Sequence, residues 1–174
     1  VNPLVLSAGA RKFLLTLHVT CSLGWAGAVA VFVVLDIAAL TGNQPELSRL
    51  LWLGLQATVW TLLAPLALGS LVTGIALALG TKWGLVRHYW VLMKLALTLV
   101  ATVVLVLYTH TIGPLAEIAE DPVMAGMQMP SALLHTGGAL VVLLLATILA
   151  IYKPRGMTRY GQKKRRQADV KQVT

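Results

Sequence analysis

The stretch Tyr89-Trp-Val-Leu-Met-Lys94-Leu-Ala-Leu-Thr-Leu-Val100-Ala-Thr-Val-Val-Leu-Val-Leu-Tyr-Thr-His110-Thr-Ile112 carries a single formal charge, Lys94. About 20 mainly apolar residues suffice for a helix to cross the hydrocarbon core of a bilayer, and this run exceeds that length. Three further runs do the same, at residues 13–40, 50–80 and 131–152. The composition agrees: of 174 residues, 57% are hydrophobic and 11% charged, and the mean hydropathy is +0.80. A soluble domain is usually about 45–50% apolar and about 25% charged. The sequence therefore predicts an all-α, four-transmembrane-helix bundle spanning residues 13–152 as one domain. An N-terminal segment (1–12) precedes it and a basic tail (153–174) follows. No room is left for a soluble catalytic domain.

The apolar run after Arg11 and Lys12 is about twice the 7–15 residues of a signal-peptide core, so it reads as a span rather than a cleaved leader. Cys21 is the single cysteine. It excludes an intrachain disulfide and a cysteine-based metal cluster, and reads as a small buried apolar residue.

The net charge of +8 is unevenly placed. With four spans, both termini and the loop between spans two and three share one side. That side holds Arg11, Lys12, Lys82, Arg87, Lys153, Arg155, Arg159, Lys163, Lys164, Arg165, Arg166 and Lys171. The other side has Arg49 against Glu46, Glu117, Glu120 and Asp121. Lys and Arg collect in cytoplasmic loops, so both termini are expected to be cytoplasmic. The run Lys163-Lys164-Arg165-Arg166 lacks interleaved aromatics and a folded nucleic-acid module. It reads as a juxtamembrane segment on the anionic inner leaflet, at about 1 kcal/mol per charge, with disorder expected past Gln167.

Local signals place the boundaries. Thr41-Gly-Asn-Gln-Pro45 is dense in turn formers. Gly24 and Ala28 form a small-xxx-small pair suited to close helix approach. Pro65, near the middle of span two, removes a backbone donor and predicts a kink. Trp83, Tyr89 and Trp90 flank the inner loop at the depth of an aromatic belt. In the longest connection, 113–130, the portion Pro114–Glu120 predicts a short surface helix.

Ionisable groups near a bilayer centre cost at least ~2.5–3.5 kcal/mol, so those present face a partner, a cavity or a cofactor. Spans one and three run in the same direction. His18 and Lys94 both lie five to six residues past the inner boundary, about 8–9 Å into their helices. They define an inner polar layer. His18 and Asp36 are eighteen residues apart, five helical turns, and so share one face about 27 Å apart along the axis. Asp36, His110 and His135 define an outer layer, with Arg49 or His135 as the expected structural partner of Asp36. Two simpler roles compete: Lys94 snorkelling to the interface along its stem, and His110 and His135 as ordinary interfacial residues.

Imidazoles are axial ligands of haem, and facing helices of a bundle build cofactor sites. His110 and His135 on adjacent antiparallel spans are candidates to bind one b-type haem from both sides. His18 is a candidate for a second, with Met93 or His88 as the other ligand. No CxxCH is present, so any haem is held non-covalently. Separately, Met124, Met127 and Met129 cluster in the outer loop, and thioethers suit Cu(I).

Leu17-His18 followed by Trp25 and Gly27, with Trp90-x-x-x-Lys94-Leu, resembles a bacterial membrane superfamily. It includes membrane-type protoporphyrinogen oxidase and copper resistance protein D. The fuller strings Gly80-Thr-Lys-Trp-Gly-Leu-Val-Arg-His-Tyr-Trp-Val-Leu-Met-Lys94 and Tyr152-Lys-Pro-Arg-Gly-Met-Thr-Arg-Tyr-Gly161 are similar to an uncharacterised four-helix group common in actinobacteria. The resemblance covers nearly the whole chain. It implies a bacterial inner-membrane location, and it ties the first-span histidine, His18, and the third-span lysine, Lys94, to haem and catalysis. The oxidase pattern has a histidine about three turns after its lysine; here His110 comes sixteen residues later, which departs from that pattern.

The expected function is non-covalent binding of b-type haem in membrane electron transfer or a haem-dependent oxidation. The alternatives are a non-enzymatic membrane subunit or scaffold, binding other subunits or itself through faces such as Gly24, and copper handling through the Met-rich loop.

Overall fold

The computed structural model describes residues 6–81, 84–121, 123, 129–154 and 156–173, with side chains as far as residue 167. Met124, Met127, Lys82, Trp83 and Arg155 lie outside the described residues, so the thioether cluster is represented by Met129 alone, which is buried. The architecture is all-α, and four helices are long and apolar enough to cross a membrane.

Helix α1 spans Ala8–Thr41. The Ser7 hydroxyl accepts from the Ala10 N–H at 3.2 Å, satisfying one of the free donors of the first turn. At the other end the Gly42 N–H bonds the Ala38 carbonyl, Asn43 turns the chain at φ 47°, and Pro45 opens the next helix. The buried residues His18, Cys21, Trp25, Val29, Phe32, Asp36 and Ala39 recur every three or four positions, which is one face of a helix.

The second span is continuous over Pro45–Leu79 but not uniform. Helix α2 (Pro45–Thr58) passes through a π-helical turn, Val59–Leu63, into α3 (Ala64–Leu79). The Ala64 N–H reaches back five residues to the Val59 carbonyl. Pro65, next in line, has no N–H to offer, and the widened turn absorbs that loss.

Helix α4 runs from Tyr89 to Glu120 with Pro114 inside it. The short surface helix expected at Pro114–Glu120 is instead an unbroken extension of the span. Packing explains this: Ile112, Ala116 and Ala119 sit at helical spacing and are all buried. Arg49 of α2 donates its Nε–H to the Ala119 carbonyl, and Trp52 of α2 donates from Nε1 to the Pro130 carbonyl at 3.0 Å. Helix α5 (Leu133–Tyr152) begins where the Ser131 hydroxyl accepts from the Leu133 N–H at 3.1 Å. It ends at Lys153, whose left-handed backbone (φ 43°) is followed by Pro154. Helix α6 (Arg159–Val173) carries the basic run, so the tail is helical past Gln167, where the sequence predicted disorder.

Three basic segments meet at one end of the bundle. The Leu6 N–H bonds the Gly80 carbonyl at 3.2 Å, joining the start of α1 to the end of α3. His88 and Met157 form an antiparallel bridge, and the Thr158 N–H bonds the Arg87 carbonyl at 3.1 Å. The Thr158 hydroxyl donates to the Val86 carbonyl at 2.7 Å and accepts from the Gly161 N–H at 3.1 Å. A Cβ on Gly161 would lie 2.4 Å from the Arg87 carbonyl oxygen, so this close approach requires glycine. The outside of the spans stays apolar: Phe13, Val34, Val72, Leu107 and Val141 are all exposed. So continuous an apolar surface suits lipid rather than water.

Candidate functional site

The inner polar layer forms where α1, α3 and α4 meet. The Lys94 Nζ lies 3.1 Å from the His18 Nε2. On the other side of the ring, His18 Nδ1 lies 3.0 Å from the Ser70 carbonyl and 3.0 Å from the Thr73 hydroxyl oxygen. A carbonyl only accepts, so Nδ1 carries the hydrogen. The Thr73 hydroxyl hydrogen is directed at the backbone of its own helix, at the Gly69 carbonyl, which leaves its oxygen free to accept. In the neutral ring, Nε2 then holds the lone pair and the Lys94 Nζ donates to it.

The 3.1 Å contact is a hydrogen bond only with one proton between the two nitrogens. That hydrogen comes from Lys94, as ammonium or as amine, or from the protonated ring to the amine. Lys94 does not snorkel to the interface. It lies on one stripe of α4 with Thr98 and Thr102, whose hydroxyls donate to the carbonyls one turn back, at Lys94 and Thr98. Its Nζ points at His18.

Packing holds the imidazole in place. His18 is buried, and a Cβ on Gly74 would stand 3.0 Å from its Cε1, so α3 comes in as close as a glycine allows. Ser22 and Ser70 share a 2.7 Å hydroxyl–hydroxyl bond beside it. Ser70 and Thr73 did not stand out in the sequence. Their signal was two hydroxyls three residues apart, on one face of an otherwise apolar helix.

The outer residues are arranged differently from the layer expected. Asp36 is buried and accepts from the Ser131 hydroxyl at 3.0 Å, rather than pairing with Arg49 or His135. Arg49 is held by Glu46 at 2.9 Å and by the Ala119 carbonyl. His135 stacks on Tyr108, with centroids 3.8 Å apart and planes at 14°. His110 lies two residues beyond Tyr108, about 200° around the helix, so it points away from α5 and is exposed. The structure therefore does not bring His110 and His135 together, and Tyr108 occupies the position expected of His110.

Met93 is 54% exposed and turned away from the Lys94 stripe, so it is not placed to share a ligand with His18. His88 is extended and bridged to Met157. Gly24, expected to serve an external helix, packs within the chain, where its Cβ would meet the Leu66 methyls at 3.4 Å. Among the described residues no group of three His, Cys, Asp or Glu is placed to hold a metal ion.

The donor set at His18 fits haem ligation through one residue. Histidines that bind metals donate their second ring N–H to a carbonyl or carboxylate, which fixes tautomer and orientation. The Ser70 carbonyl does this for His18. Comparison with family models, with curated proteins and with solved structures finds no match to this chain.

Proposed function

We propose that the chain is a multi-pass protein of the bacterial inner membrane, with both termini cytoplasmic, that binds a non-covalent b-type haem through His18. Its activity would be membrane electron transfer or a haem-dependent oxidation. The observation that supports this reading is the orientation of His18: Nδ1–H fixed on the Ser70 carbonyl, Nε2 aimed into the bundle at Lys94. A haem bound there would supply one-electron chemistry. Lys94 holds the ring from the opposite side, and a ligand taking the Nε2 lone pair displaces that hydrogen bond. Its Nζ would then be available to pair with an anionic group or to pass a proton. The basic segments gathered at the inner end support the orientation, because Lys and Arg concentrate on the cytoplasmic face.

The test is an optical spectrum of the detergent-purified protein after haem-replete expression. A Soret band is expected. Its absence refutes haem binding.

A further inference from the structure

The outer half of the bundle holds a half-open cavity of about 250 Å³. Trp25 and Phe32 of α1, Leu63 of the π-helical turn, Ala101 and Tyr108 of α4, and His135 of α5 form its walls. Among the described residues its lining contains no Lys, Arg, Asp or Glu, and Asp36 lies near enough to act electrostatically on Tyr108. Val104 and Leu134 at its edge are 42% and 82% exposed, so it opens sideways toward lipid.

Two polar groups face this apolar space. Among the described residues, neither the Tyr108 hydroxyl nor the His135 ring nitrogens have a hydrogen-bond partner, although the rings stack on one another. Tyr108 is half-buried and His135 exposed, so the Tyr108 hydroxyl is the donor that the cavity wall offers to a ligand with a hydrogen-bonding head.

We propose that this cavity binds a neutral, quinone-headed lipid entering from the bilayer. A quinone carbonyl accepts from the Tyr108 hydroxyl, the ring fills the apolar chamber against Trp25, and the tail leaves past Val104 and Leu134. Size favours one substituted ring: an apolar cavity of about 150 Å³ holds benzene, and drug-sized pockets begin near 300 Å³. Phospholipid and fatty-acid heads are disfavoured, since among the described residues no cation lines the site. A bare acyl chain would leave the Tyr108 hydroxyl unpaired.

The test is titration of the full-length, haem-free protein in nanodiscs of zwitterionic lipid with a decyl-substituted benzoquinone, read by quenching of tryptophan fluorescence. Because no haem is needed, its outcome is independent of the His18 reading. Saturable quenching is expected, about tenfold weaker in Tyr108→Phe, which loses one buried hydrogen bond. It should be abolished in Ala139→Phe, which fills the chamber. Decylbenzene, with the same tail and no carbonyl, should compete at least about tenfold more weakly than the quinone. Equal competition by decylbenzene assigns the cavity to hydrocarbon chains and overturns the proposal. So does unsaturable quenching, or wild-type affinity in Tyr108→Phe. If Ala139→Phe fails to fold by circular dichroism, Tyr108→Phe and decylbenzene still decide.

Discussion

The two ends of the α1 buried face solve the same problem in different ways. At the inner end His18 is saturated: Ser70 and Thr73 take one ring nitrogen and Lys94 the other, with Gly74 pressed against the ring. At the outer end Asp36 takes a hydroxyl from Ser131, while Tyr108 and His135 stack beside a cavity with no hydrogen-bond partner for their polar side-chain atoms among the described residues. The neighbouring helix accounts for the difference. Opposite His18, α3 presents two hydroxyls and a glycine. Opposite Phe32, the second span presents Leu55, Val59 and Leu63, and its π-helical turn widens the backbone there. The inner site is thus closed, with both ring nitrogens of His18 hydrogen-bonded, and the outer one is an open chamber.

Mutations that break this contrast rank by expected size. Trp25, 1% exposed, sits on the face between the two ends, so Trp25→Ala should cost about 3–5 kcal/mol. Chemical unfolding in mixed detergent measures it, and both sites should fail together. Gly74→Leu should cost about 1–3 kcal/mol by forcing a side chain into the His18 ring. It should disturb the inner site while leaving quinone titration of the outer cavity unchanged; equal damage at both ends would show that they are not separate.

Lys94→Met should stabilise the fold by about 2 kcal/mol. It removes a charge costing ~2.5 kcal/mol or more at membrane depth, offset by a lost interhelical hydrogen bond of about 0.6 kcal/mol. A stability loss above that hydrogen-bond value would make Lys94 a structural residue. Ser131→Ala should be the mildest, at about 0.6 and no more than about 1.7 kcal/mol, because it removes the hydroxyl donor to Asp36. It should leave the His18 site intact.

The spans, their order and the inner layer were legible in the sequence. Apolar length fixed the first, and helical rise placed His18 and Lys94 level on parallel helices. The outer layer was not legible, because equal depth says nothing about facing. His110 and Tyr108 differ by two positions, and hydropathy could not say which turns toward α5. Ser131 was a span boundary in the sequence and is a side-chain partner in the fold. The continuation of α4 through Pro114 was equally hidden, since it depends on Ile112, Ala116 and Ala119 finding α2 to pack against.

The most direct measurement is the optical spectrum of haem-replete protein compared across two variants, His18→Ala and the double variant His110→Ala/His135→Ala. We expect a Soret band in the wild type, its loss in His18→Ala and its retention in the double variant. A band that survives His18→Ala and disappears in the double variant would contradict the assignment of the haem to the inner site.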